Sequence, residues 1–122
     1  MKELRTILKT LLRQYHSKVH FQRPTAISFP YIVFDLPNSY TDEELEVLSL
    51  DVDIWDNQSD TTTLETLAGT LWKALHKLTY LDEHMQFSIH RESRLTVIDD
   101  DPNIKRRKLI FSVRYFDRRL NE

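Results

Sequence analysis

Apolar residues recur at intervals of three and four along the start of the chain, at Leu4, Ile7, Leu8, Leu11, Leu12 and Tyr15, which predicts a helix with one apolar face. Lys2, Arg5, Lys9 and Arg13 occupy the other face. Glu3 interrupts that basic row and the chain is acidic overall, so a solvated surface is the expected reading. The segment lacks an uninterrupted apolar run and a small-residue cleavage site, so it is expected to belong to the fold.

Pro24 bars helix continuation, and the period then changes. In ISFPYIVFDLP, Phe29, Tyr31 and Val33 share one face of a predicted strand while Ile32, Phe34 and Leu36 share the other. A strand apolar on both faces is covered on both. A domain with two helices has little left to form a second covering layer, so the pattern points to a subunit contact. PNSYTDEE is expected to be a turn or loop. LEVLSLDVDIW alternates strictly, with Leu48, Leu50, Val52 and Ile54 inward and Ser49, Asp51, Asp53 and Trp55 outward.

A second helix follows the polar DNQSD, with Thr62 and Glu65 spaced as a capping box. Its stripe is Leu64, Leu67, Ala68, Leu71, Trp72, Leu75 and Leu78. Two last strands, MQFSIHRESRLTVI and RRKLIFSVRYFDRR, join through the acidic turn DDDPN. In the first, Met85, Phe87 and Ile89 alternate before Arg91 and Ser93 interrupt the row that Leu95 and Val97 resume. The expected fold is α+β: a two-layer sandwich with both helices on one face of a mostly antiparallel sheet, ending in an extended C-terminal β-hairpin.

A chain of 122 residues suits one domain, 1–122, with one core. Without cysteine there is neither a disulfide framework nor a thiolate metal site. Gly69 is the sole glycine, which removes glycine-rich phosphate loops and glycine-dependent nucleophile elbows. A net charge of -2 gives no general reason to expect nucleic acid or anionic membrane as a partner.

Two clusters remain as candidate chemistry. Asp51 and Asp53 have the acid-x-acid spacing with which nucleotidyltransferases hold a divalent metal. The glycine turn such enzymes need upstream is missing, and a calcium loop opening at Asp56 has Thr61 where glycine belongs. The competing reading is structural: the acids lie on the outer face of a strand, where Arg114 of another strand is positioned to pair with them. Lys105, Arg106, Arg107 and Lys108 form the strongest nucleic-acid candidate. Asp99, Asp100 and Asp101 lie across the turn, so the run also reads as charge matching along the hairpin or between subunits. No aromatics interleave with it for base stacking, and the five histidines show no metal-ligand spacing.

FPYIVFDLP, then LSLDVDIWDNQSDTTTLETLAGTLWKALHK, then DDDPNIKRRKLIFSVRYFDRR, taken in order, resemble the small tail-terminator (tail-completion, head-to-tail joining) proteins of tailed bacteriophages and prophages. The resemblance runs from Phe29 to Arg119, and the first helix is also in its expected place. It implies a non-enzymatic, cofactor-free ring, a hexamer, that caps the tail tube, stops its polymerisation and docks to the head connector. The implied partners are further copies of itself, the tail tube protein and the head-completion protein, with DNA passing through the lumen unbound and no membrane contact. The implied location is the head–tail junction of the virion, after assembly in the bacterial cytoplasm. In such a ring Phe29, Tyr31 and Val33, together with Asp99–Asp101 and Lys105–Lys108, are candidate subunit contacts. Asp51, Asp53 and Arg114 are candidate lumen or sheet-face charges. A metal-dependent nucleotidyltransferase using Asp51 and Asp53, and a nucleic-acid module using residues 105–108, are the alternatives.

Overall fold

The computed structural model describes residues 2–24 and 27–121. Helix α1 spans Lys2–Arg13 and α2 spans Thr62–Leu75; the strands are β1 Val19–Phe21, β2 Tyr31–Asp35, β3 Ser39–Asp42, β4 Leu45–Asp56, β5 Thr79–Leu81, β6 Met85–Ile98 and β7 Lys105–Asp117. A 3-10 turn, Arg118–Asn121, follows β7. The strands form one curled sheet in the order β1-β2-β4-β7-β6-β5. β3 pairs with β4 beyond the end of β2, and Ser49 N–H bridges the gap by donating to the Asn38 carbonyl. The β1–β2 pairing is parallel and the others are antiparallel, so the α+β expectation holds.

The alternation of β4 sets the layers. Leu48, Leu50, Val52 and Ile54 are buried beside Leu109, Phe111 and Val113 of β7, which the register places directly opposite them or next to them. Ile32 and Phe34 of β2 and Met85, Phe87 and Ile89 of β6 extend the same apolar face. Leu4, Leu8 and Leu12 of α1 and Leu64, Ala68, Leu71 and Leu75 of α2 close it from above. Each such leucine contributes roughly 1.5–3 kcal/mol by leaving water. Both helices thus cover one side, and among the described residues the opposite face of the sheet carries none.

Several expectations are corrected. The strand in ISFPYIVFDLP is only Tyr31–Asp35; Phe29 precedes it in a bend and Leu36 follows it. The segment expected to be a turn or loop contains β3, which escaped the pattern because every side chain on it is exposed. It turns into β4 through Glu43, at φ 56. The capping box does not form: Thr62 is the first residue of α2, and Asp60 Oδ1 accepts from both its N–H (2.9 Å) and its hydroxyl (2.6 Å). The apolar row of β6 does not resume on its original face. A bulge at Glu92 sets Arg91 opposite Phe111 and Ser93 opposite Ile110, so Leu95 and Val97 turn to the open side.

Candidate functional site

The uncovered face of the sheet is organised in rows across its strands. One row runs Tyr31, Trp55, Arg106, Val97, and the next Val33, Asp53, Lys108, Leu95. Because opposed residues in antiparallel strands share a face, these side chains form one surface. Its charges pair on diagonals. Arg106 meets Asp53 at 2.8 Å, and Lys108 reaches Asp51 at 3.4 Å. The Arg106 guanidinium also lies 4.4 Å from the centroid of Trp55, whose ring stacks on Tyr31 at 6.0 Å and an interplanar angle of 8°. His20 and Phe29 complete the surround of Tyr31. Tyr31 is left 6% exposed, and burial raises its phenol pKa, against the opposing pull of Arg106.

This arrangement changes the standing of the predicted residues. Arg114 is not the partner of Asp51 and Asp53. The register sets it opposite Val47, six positions along β4 from Asp53, and it lies 3.9 Å from Asp42. The basic run does not match the acids across its own turn. Arg106 and Lys108 point to the open face and bind β4, whereas Arg107 points to the helix side and binds Glu65 of α2. Lys105 donates to the Pro102 carbonyl. The acids brace the turn themselves: Asp99 Oδ1 accepts from Asp101 N–H at 3.0 Å, and Asp101 Oδ1 from Asn103 N–H at 2.9 Å. Of the candidate contacts Phe29, Tyr31 and Val33, Tyr31 is sealed by its own chain, while Phe29 and Val33 stay half-buried.

Asp51 and Asp53 line a shallow groove of about 300 Å³ with Tyr31, Val33, Asp35 and Trp55. A divalent ion there would have to displace Arg106 and Lys108 from the two carboxylates. Among the described residues, no group of three or more His, Asp or Glu stands close enough together to hold a metal ion. The paired charges also leave little net negative field at this spot. An opposite corner of the open face holds a larger groove of about 680 Å³, lined by Leu45, Leu81, Phe116 and Arg114 among others. Sequence patterning missed it because β5 is three residues long.

A second feature was also missed. Arg91 and Arg94 of β6 both lie over Trp72 of α2, at 5.4 and 5.6 Å from its centroid. Arg91 N–H donates to His76 Nδ1 (3.1 Å), and His76 stands edge-on to His90 with centroids 6.3 Å apart. Partial desolvation lowers the His76 pKa, helped by the charges of Arg91 and Lys77 and by His90. Three-residue spacing on a strand predicts opposite faces; the bulge at Glu92 brings the two arginines together, and nothing in the local sequence marks it.

No protein-family model matches the chain, and no curated protein matches it. Its fold is similar to that of a solved chain described as "Virion of native gene transfer agent (GTA) particle", with a TM-score of 0.65. The similarity covers 86% of this chain and 84% of that one, at 12% sequence identity.

Proposed function

We propose that this protein is a non-enzymatic structural component of a phage-like virion. In this reading it forms a closed ring, a hexamer, at the head-proximal end of the tail tube. There it ends tube polymerisation and joins the tail to the head connector, with DNA crossing the lumen. The observation that carries the proposal is the similarity to a virion chain across most of both lengths. The order of segments from Phe29 to Arg119, which resembles tail terminators, supports the finer assignment. The mechanism is contact geometry: identical copies close when one patch meets a different patch on the neighbour, with no bond made or broken. The engagement of Asp51 and Asp53 by Lys108 and Arg106 weighs against the nucleotidyltransferase alternative, and that of residues 106–108 by carboxylates weighs against the nucleic-acid one.

The test is electron microscopy of particles from a producing strain with the coding region deleted. The expected result is tubes of uncontrolled length and heads without tails, both restored by supplying the chain. Tails of normal length joined to heads in the deletion strain would overturn the proposal.

A further inference from the structure

Arg106, Arg107, Lys108, Arg114 and Arg119 each reach Asp or Glu of their own chain. Arg91 and Arg94, like Arg5 over Phe21, are instead placed on an aromatic ring. Both are exposed, both are held against Trp72, and neither makes an ion pair among the described residues. Stacking on a ring engages the plane of a guanidinium and leaves its N–H edge free to take a carboxylate in two parallel hydrogen bonds. The bulge at Glu92 is what sets both groups on the same ring.

The same hairpin carries a complementary element. Ile98 is 93% exposed at the end of β6, an apolar side chain with nothing over it. Directly after it comes the turn Asp99–Asp101, held in shape by its own carboxylate caps, with Asp100 exposed. We infer that the platform of Arg91, Arg94 and Trp72 receives the turn Ile98–Asp101 of a second copy of this chain. Arginine over a half-buried aromatic, met by acids beside an apolar anchor, is the composition of a strong interface centre. The contact joins unlike patches, so each copy offers one of each, as a closed ring requires. This inference rests on the ring reading above and names the contact that closes it. Duplex phosphate is the competing occupant for two free arginines. A chain of net charge -2, in which Arg106, Arg107 and Lys108 of the basic run are already engaged by its own carboxylates, favours the acidic turn.

The chain contains no cysteine, which makes thiol cross-linking clean. Thr96→Cys and Asn103→Cys place one thiol beside the platform and one beside the turn without altering the charges. Particles assembled with the doubly substituted chain, treated with a short bifunctional thiol reagent, are expected to yield a ladder of linked copies ending at the closed ring. Either single substitution is expected to yield none. Adding Arg91→Glu with Arg94→Glu to the double variant should abolish the ladder, with the thermal melt of the isolated chain retained. Rings seen by microscopy whose copies give no ladder overturn this pairing and leave the ring reading standing. Particles without rings of this chain overturn both. A ladder that survives the glutamate pair also overturns the pairing. So does binding of plain duplex DNA that the glutamate pair removes while no ladder forms.

Discussion

Arg106 holds Asp53 at 2.8 Å while its guanidinium covers Trp55 at 4.4 Å, so one side chain neutralises a carboxylate and roofs an aromatic stack. The two roles separate by substitution. Arg106→Lys keeps the charge but loses the planar group that stacks, and Arg106→Ala loses both. With the pair partly exposed, the ion pair is worth up to about 1 kcal/mol and the stacked cation about another 0.5–1. Urea unfolding should therefore rank wild type, Arg106→Lys and Arg106→Ala in falling order, spanning about 1–2 kcal/mol. The same site predicts the response to metal. Mg²⁺ or Mn²⁺ should leave the melting temperature unchanged; a rise that Asp53→Asn removes would instead restore a metal role for the two acids.

The chain's sole glycine is not where the backbone asks for one. Gly69 lies inside α2, and a Cβ there would meet nothing within 4 Å. Lys77, just past the end of that helix, has φ 63, the left-handed conformation that favours glycine. Gly69→Ala is expected to stabilise by about 0.5–1 kcal/mol by restoring helix propensity and restricting the unfolded chain. Lys77→Gly is expected to stabilise by a similar amount, about 0.5–1 kcal/mol, because it relieves the left-handed strain of an L residue. The two sites are independent enough that their shifts in urea midpoint should add. A loss of stability in Gly69→Ala would mean that α2 packs more tightly at that turn than its open surroundings indicate.

The long, periodic elements were legible in the sequence, and the elements that were missed lack a period to read. α1, α2, β4 and β7 repeat their period over many residues, so noise at one position does not hide them. β1 and β5 are three residues each, too short for an alternation, and β3 is a strand by backbone pairing alone. The candidate site failed for a different reason. That Asp51 and Asp53 lie on an outer face follows from the period of two. Which cation meets them depends on the β4–β7 register, and it chose Lys108 and Arg106 over Arg114. The meeting of Arg91 and Arg94 on Trp72 required a bulge, which leaves no compositional trace.

Asp82 ties the β5–β6 turn and makes part of the stability depend on pH. Its carboxylate accepts the Tyr80 hydroxyl at 2.8 Å and the backbone N–H groups of Met85 and His84 at 2.8 and 2.7 Å. The Tyr80 bond first, and then the two backbone donors, hold its pKa below the ordinary carboxylate value. A folded-state pKa that is depressed contributes stability above the unfolded value, and that contribution is lost as pH falls through the folded one. Asp60, held low by Thr62, acts in the same direction. Melting temperature should accordingly be flat near neutrality and fall below about pH 4. Asp82→Ala should lie below wild type at neutral pH and converge with it in acid. Parallel curves across the whole range would show that the carboxylate contributes nothing through its charge.

The bulge gives β6 one residue more than β7 needs, and this makes a sharp prediction about deletions. Arg91 pairs with Phe111 and Ser93 with Ile110, which are consecutive on β7, so Glu92 has no opposed partner. Removing Glu92 would close the ladder without moving any later residue to the other face; Leu95 and Val97 would stay on the open side. The variant should fold with a change in stability of about 0.5 kcal/mol or less, since neither the core nor the register is altered. Removing Ser112 from β7 is the contrasting case. It shortens the chain by one residue, as the Glu92 deletion does, but Leu109 and Phe111 would be carried from the core to the open face, because a one-residue shift reverses every side chain beyond it. That variant should lose its cooperative thermal transition altogether. If both deletions melt alike, the bulge does not lie at Glu92, and the pairing of Arg91 and Arg94 on one face loses its structural basis.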